Sequence, residues 1–268
     1  MVGVVRLSGI IGRMEGFRQG LNLANLSEIL EKVFKIRRLK AVALAINSPG
    51  GSPVQAALIA KRIRTLAQEK DIPVYAFTED VAASGGYWLA CAADHIYANE
   101  NSIIGSIGVV SAGFGFTDLM KRAGIERRLR TSGDKKAPLD PFREENPEEV
   151  ERLKAILGDI HESFRAHVRT RRGGRLKADE EVLFSGEFWT GTRALDLGLI
   201  DGIGDMRDVL REHYGEKLKL RLIGPRKSWW RKRSGLAGFS FPAAEPRDWA
   251  GAAIAAVEER LIWNRFGL

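Results

Sequence analysis

The chain has 268 residues and a formal net charge of +8, from 42 Lys and Arg against 34 Asp and Glu. Its 44% hydrophobic and 28% charged residues suit a folded globular protein and exclude a disordered one, and at this length about three quarters of the unfolded surface can be buried without staples. A single cysteine, Cys91, excludes a disulfide framework or a cysteine-built metal site, and His95, His161, His167 and His213 lack ligand spacing, so neither a metal nor a cofactor is expected.

Residues 2–7 are a β-branched run ending at Ser8-Gly9, which predicts a strand and a turn. Residues 23–34 have helical spacing, and 41–46 are continuously apolar, as in a parallel strand covered on both faces. That run stops at Asn47-Ser-Pro-Gly-Gly-Ser52, before a helix with Ile59, Ile63 and Leu66 on one side. A strand over 73–77 leads to the tight turn Ala82-Ala-Ser-Gly-Gly-Tyr-Trp88 and an apolar helix over 89–93. Strand, glycine turn and helix recur at once, the pattern of stacked βαβ units with right-handed crossovers. Short strands are expected at 95–98, 107–110 and 126–130. A long amphipathic helix starts at Asn146-Pro147, Asn as cap and Pro at the first helical position; its inner face carries Val150, Leu153, Ile156, Leu157, Ile160 and Phe164.

The composition changes after Gly224-Pro225. Residues 221–268 hold nine Lys and Arg against four Asp and Glu, which is five of the eight net charges. Within them, 226–233 reads Arg-Lys-Ser-Trp-Trp-Arg-Lys-Arg, followed by Trp249 and Trp263. Three roles suit this stretch: a solvated linker, a contact with an anionic membrane surface, and, least favoured, nucleic-acid binding. A last helix is expected from Asp248, with Ile254, Val257 and Leu261 on one face. No run of about eighteen apolar residues occurs, so neither a transmembrane span nor a signal peptide is expected. The organisation is an α/β domain over 1–225 and a basic Trp-rich linker with a C-terminal helical tail over 226–268.

The two glycine turns follow apolar strands, at the strand ends where such folds bind ligands. Gly50 and Gly51 allow close backbone approach, and their N–H groups can serve as preorganised oxyanion donors. Ser84 lies between the small residues Ala83 and Gly85 at the head of a helix, uncrowded and near its positive end. A nucleophile and a plain helix cap explain it equally well. No Gly-Lys-Ser/Thr follows either turn, so a phosphate loop is not supported. The four histidines are poor partners for Ser84. A lysine can replace histidine as base if burial lowers its pKa by about three units from ~10.4, equivalent to ~4 kcal/mol. Thr131-Ser-Gly-Asp-Lys-Lys136 offers two lysines, which otherwise read as surface charges.

Taken together, Ile46-Asn-Ser-Pro-Gly-Gly-Ser52, Ala83-Ser-Gly-Gly-Tyr-Trp88 with Ser102-Ile-Ile-Gly-Ser-Ile-Gly-Val109, and Ser132-Gly-Asp-Lys-Lys136 resemble the signal peptide peptidase A (protease IV) family of serine peptidases, in the Clp protease/crotonase superfamily. Phe184-Ser-Gly-Glu-Phe-Trp-Thr-Gly191 through Gly198-Leu-Ile-Asp-Gly202 is a weaker match to its closing segment. The resemblance implies a Clp/crotonase-like fold over the 1–225 peptidase domain, Ser84 as nucleophile, Lys136 as general base, and Gly51 and Gly85 as oxyanion donors. Lys135 falls on a variable position. It implies peptide substrates, such as cleaved signal peptides and other short hydrophobic peptides. It also implies a homo-oligomeric ring of the single-repeat type, with Ser and Lys of each site drawn from neighbouring protomers. The expected setting is cytoplasmic, or peripheral on the membrane with the tail as contact. The alternatives are a catalytically silent ring scaffold and a crotonase-like acyl-thioester enzyme.

Overall fold

The structure, a computed structural model, describes residues 1–12, 20–133, 135–224, 257 and 260–267. In chain order the elements are β1 (Val2–Ser8), α1 (Leu23–Phe34), β2 (Ala41–Ser48), α2 (Pro53–Lys70), β3 (Val74–Ala83), α3 (Gly85–Ala90), β4 (His95–Ala98) and β5 (Ile103–Gly105). There follow α4 (Thr117–Ala123), α5 (Pro147–Arg172), α6 (Glu180–Leu183), β6 (Phe188–Thr190), α7 (Gly191–Asp196), β7 (Gly202–Ile203), α8 (Met206–Tyr214) and β8 (Leu220–Ile223). The strands form one sheet in the order β6-β5-β3-β2-β1-β8, with β4 beside β3 and β7 beside β4. All pairs are parallel except β5 with β6. These are the stacked βαβ units, of the Clp/crotonase-like kind, expected from the sequence.

The continuously apolar β2 divides its side chains between two cores by the two-residue period of a strand. Val42, Leu44 and Ile46 face the layer of α1, α2 and α3, whereas Ala41, Ala43 and Ala45 face a second cluster with Tyr75, Phe77, Val209 and Leu210. Large residues thus meet the helices, and alanines leave room for aromatic rings. At its upper end β3 changes partner. Tyr75–Thr78 pairs with β4 and Val81–Ala83 with β5, and the β2 register shifts between Ile46 and Ser48. Asn47 spans this irregularity, its Nδ2 donating to Asp80 Oδ2 at 2.6 Å and its Oδ1 accepting from Val81 N at 3.2 Å. On the other side Ser102 Oγ donates to Glu79 O at 2.6 Å. The bend aims the end of β3 at Ser84.

The C-terminal end of α5 is pinned in the body by Arg172, which is 2% exposed. Its guanidinium donates to Asp201 Oδ2 at 2.7 Å and twice to Gly198 O, at 3.1 and 2.8 Å. Asp201 Oδ2 also accepts from Ile96 N at 2.7 Å. Burial pushes the Asp201 carboxyl up, but the Arg172 hydrogen bond and charge outweigh it, so its pKa lies below the usual value.

Several expected elements differ. Residues 107–110 and 126–130 form no strands; the strand of that region is β5, and 126–130 lie exposed on an arm without a sheet to join. The apolar helix starts at Gly85, directly after Ser84, not at 89. Only the far end of α5 enters the core, at Phe164 and Val168, while Ile156 is half exposed. Residues 226–233 and the expected helix start at Asp248 lie outside the described residues. Of the expected inner face of the last helix, Val257 and Leu261 are exposed.

Replacing Asp201 by Ala strands a buried guanidinium, and a loss of about 3 kcal/mol in unfolding free energy is expected from denaturant titration.

Candidate active site

Ser84 sits between the end of β3 and the start of α3 with φ 52° and ψ −123°, a backbone conformation rarely adopted by a residue with a side chain. Its N–H donates to Gly105 O at 2.8 Å and its carbonyl accepts from Trp88 N at 3.0 Å. Although it occupies the cap position of α3, its hydroxyl makes no capping hydrogen bond. A sharp strand-to-helix turn of this kind lifts a hydroxyl clear of the backbone.

The Asn47–Ser52 turn meets this elbow from below. Gly50 (φ 106°) faces Ser84 so closely that a methyl group on it would lie 2.8 Å from Ser84 Cβ. Gly51 (φ 139°) lies against Ile11, whose carbonyl would be 2.1 Å from a Cβ there. Ile11 N donates to Gly50 O at 2.8 Å and Ser52 N to Ile11 O at 2.7 Å, which fixes the turn. A Cβ on Gly85 would lie 3.5 Å from Gly51 N, so the backbones of the two expected oxyanion donors are neighbours. Among the described residues the Gly51 N–H has no acceptor, and Gly85 opens a helix whose first-turn N–H groups lack intrahelical partners.

These residues form one end of a cleft of about 810 Å³. Its apolar walls come from Trp88, from Val109 and Val110 after β5, and from Leu153, Ile156, Leu157 and Ile160 on α5. The apolar stripe of α5 therefore serves the cleft over most of its length and the core only at its end. Ser106, Ser185 and Phe188 complete the rim, joined by Ile262, Arg265 and Phe266 from the end of the chain. Among the described residues that line it, Arg265 is the one charged residue and there is no His, Lys, Asp or Glu.

Lys136 lies outside this cleft. It is exposed on an arm over 110–146 whose described residues are almost all exposed. The adjacent Lys135 pairs with Glu148 at 3.3 Å, also on the surface. The arm carries uncovered Phe114, Leu119, Ile125 and Leu129, with Phe114 81% exposed. Within one chain the structure thus brings Ser84, Gly51 and Gly85 together and leaves Lys136 apart from them.

The model of peptidase family S49 matches residues 66–219, which include the Ser84 elbow, the arm and α5. The chain belongs to peptidase family S49. It is 50% identical to a Na(+)/H(+) antiporter NhaA of Brucella abortus (strain 2308), over 100% of this chain and 37% of that relative. It is 32% identical to a putative signal peptide peptidase SppA of Enterococcus faecium, over 75% of this chain and 58% of the relative. The chloroplastic serine protease SPPA of Arabidopsis thaliana is 35% identical over 76% of this chain and 31% of its own length. The chain therefore spans less than two thirds of the length of each of these relatives. A solved membrane-bound stomatin-specific protease, 1510-N, in a lysine-to-alanine variant with a substrate peptide, shares the fold with a TM-score of 0.52 at 17% identity, over 85% of this chain and 93% of that one.

In this S49 chain His161 and His167 support the cleft from outside. His167 Nε2–H donates to Trp88 O at 3.1 Å while its ring stacks on Trp88 at 5.0 Å, and Phe164 stacks on the same indole at 4.8 Å. His161 donates to Ile107 O at 3.1 Å. Helix α5 thus holds both the helix behind Ser84 and the segment after β5. His95 and His213 pack around Tyr75, at the far end of β3 from Ser84. Cys91 is fully buried and its thiol is pushed up to about 12 by that burial, so it behaves as a small hydrophobe, as expected. The sequence reading missed the two histidine clamps; their spacing on the apolar side of α5 was the available signal.

Burial pushes the His167 pKa down to about 4, against the opposing pull of the Trp88 carbonyl. An unfolded histidine titrates near ~6.5, so below that pH the unfolded chain binds the proton first and stability falls until about pH 4. The expected loss, reduced for partial solvent access, is on the order of 2 kcal/mol. Urea unfolding at pH 7 and 4.5 should show this loss in the parent and not in His167→Gln; equal acid losses would contradict the assignment.

Proposed function

We propose that the chain is the peptidase domain of a serine endopeptidase with a Ser-Lys dyad, whose site is completed by a second copy of the chain. Ser84 is the nucleophile, and Lys136 of a neighbouring protomer is the general base. The observation that carries this reading is a cleft with a strained serine, two adjacent glycine amides and no base among the described lining residues of its own chain. The exposed arm that bears Lys136 leaves Phe114, Leu119, Ile125 and Leu129 uncovered, apolar surface suited to burial against a partner. The stomatin-specific protease solved as serine-to-alanine and lysine-to-alanine variants supports the same pair of residue types.

In the reaction, neutral Lys136 accepts the Ser84 proton as Oγ attacks the peptide carbonyl. The Gly51 and Gly85 N–H groups stabilise the oxyanion that develops. The C–N bond breaks, Lys136 returns the proton to the leaving amine, and water activated by the same lysine releases the acyl group. The apolar walls favour short hydrophobic peptides, including cleaved signal peptides. Residues 1–225 carry this activity, and 226–268 form a linker and tail.

We further propose a setting at the membrane surface, with the basic Trp-rich tail as the contact. Support comes from a relative named as an antiporter and a fold neighbour described as membrane-bound. No helix among the described residues is long and apolar enough to cross a bilayer.

Purified Ser84→Ala and Lys136→Ala should each fail to hydrolyse fluorogenic hydrophobic peptides. Mixed and reassembled in equal amounts, they should recover about one quarter of parental activity, the share of interfaces that combine an intact serine with an intact lysine. No recovery from a mixture shown by native mass to contain both chains would refute the shared site. Parental kcat/KM should rise toward alkaline pH as the lysine loses its proton; an acid-favoured profile would refute a lysine base.

A further inference from the structure

Strand β8 ends the sheet beside β1, and among the described residues nothing pairs with its other edge. Its ladder with β1 begins with Val2 N donating to Lys219 O at 3.0 Å, so the alternation of a strand turns the N–H and C=O groups of Leu220 and Leu222 outward. Each face of this edge carries a cavity. On the face that packs against α1, one of about 450 Å³ is lined by Lys32, Lys35, Arg37 and Arg221. On the face of α8, one of about 330 Å³ is lined by Arg207, Arg211 and Lys219. Among the described residues that line either cavity there is no Asp or Glu. Lys32, Lys35 and Arg211 meet Glu28, Glu31 and Glu216 at the surface, whereas Arg37, Lys219 and Arg221 make no ion pair among the described residues. Leu222, on the edge itself, is 66% exposed.

We propose that β8 is a docking edge for an extended acidic segment of a partner protein, which joins the sheet as a further strand and sets its carboxylates against both cationic walls. The inference goes beyond the Ser84 cleft and does not rest on its reading as a peptidase. A paired strand satisfies the outward groups of Leu220 and Leu222. Its side chains alternate between the two faces, so acids at successive positions reach Arg37 and Arg221 on one side and Arg207 and Lys219 on the other. A flat anionic membrane fits less well. The two walls lie on opposite faces of the sheet, so a bilayer meets only one of them, and lipid offers the edge no strand to pair with. Cations on an edge strand also repel a second copy of the same strand. The edge is thereby closed to its own kind and open to an acidic strand, a discrimination made by charge.

Binding is read by fluorescence anisotropy of a fluorescein-labelled peptide that repeats Glu-Glu-Val, with the full chain carrying Ser84→Ala so that the probe stays intact. Affinity should fall more than tenfold when Arg37→Glu and Arg221→Glu are added, and it should also fall as salt is raised. Leu222→Pro removes an outward N–H without breaking the ladder to β1 and should weaken binding several-fold. A peptide of the same sequence with its backbone N–H groups methylated keeps the charge, loses the strand pairing and should bind several-fold more weakly. Cys91, fully buried, stays unlabelled by maleimide in a folded chain and reports any variant that unfolds. Equal affinity for the two peptides, or binding that the double charge reversal leaves unchanged, overturns the proposal. So does a parent chain that ignores the peptide yet sediments with phosphatidylglycerol vesicles through Arg37 and Arg221, which would assign these cations to lipid. None of these outcomes bears on hydrolysis at Ser84.

Discussion

The backbone of Ser84 is held in a left-handed conformation that costs about 1–3 kcal/mol for a residue with a side chain, and much of the nearby structure serves to maintain it. Parallel pairing of β3 with β5 fixes the chain on one side, through Ser84 N on Gly105 O. The first turn of α3 fixes it on the other. Gly50 then closes the space underneath, where no side chain fits. None of these contacts is unusual alone. Together they over-determine one residue's torsion angles, which is how a fold maintains local strain.

The same geometry separates two kinds of surface. Around Ser84 the cleft is apolar and almost uncharged, a setting in which backbone dipoles act at low effective dielectric. The arm is the reverse: its cations pair with acids in solvent while its phenylalanines and leucines are uncovered. Among the described residues, polar and apolar surface are thus divided between the arm and the cleft.

The fold was legible where local pattern and tertiary context agree. The alternation within Ala41-Val-Ala-Leu-Ala-Ile46 encodes both cores, and the two glycine turns mark the strand ends that form the site. The expected strands at 107–110 and 126–130 failed for a physical reason. Residues 107–110 leave the sheet after β5, with Ile107 buried against the core, and 126–130, Glu-Arg-Arg-Leu-Arg, lie on the exposed arm with no neighbouring strand edge to pair with. Likewise the stripe on α5 was read as core-facing, since periodicity reveals that a face is apolar and not what it faces. The serine at 84 was ambiguous between cap and nucleophile in one dimension. In the structure its hydroxyl makes no capping bond and its φ is positive, and neither feature is visible in composition.

Helix α5 has 26 residues, a rod of about 39 Å. Its far end is pinned by Arg172, its middle grips the Trp88 and Ile107 carbonyls through His167 and His161, and its free end carries the arm. That layout is a lever with a fixed fulcrum. A tilt of about 5° at Arg172 moves Pro147 by about 3 Å, while His167, little more than one turn from the pivot, shifts by well under 1 Å. The arm thus hangs from the end of the rod farthest from Arg172, and the two histidine contacts stand between it and that anchor.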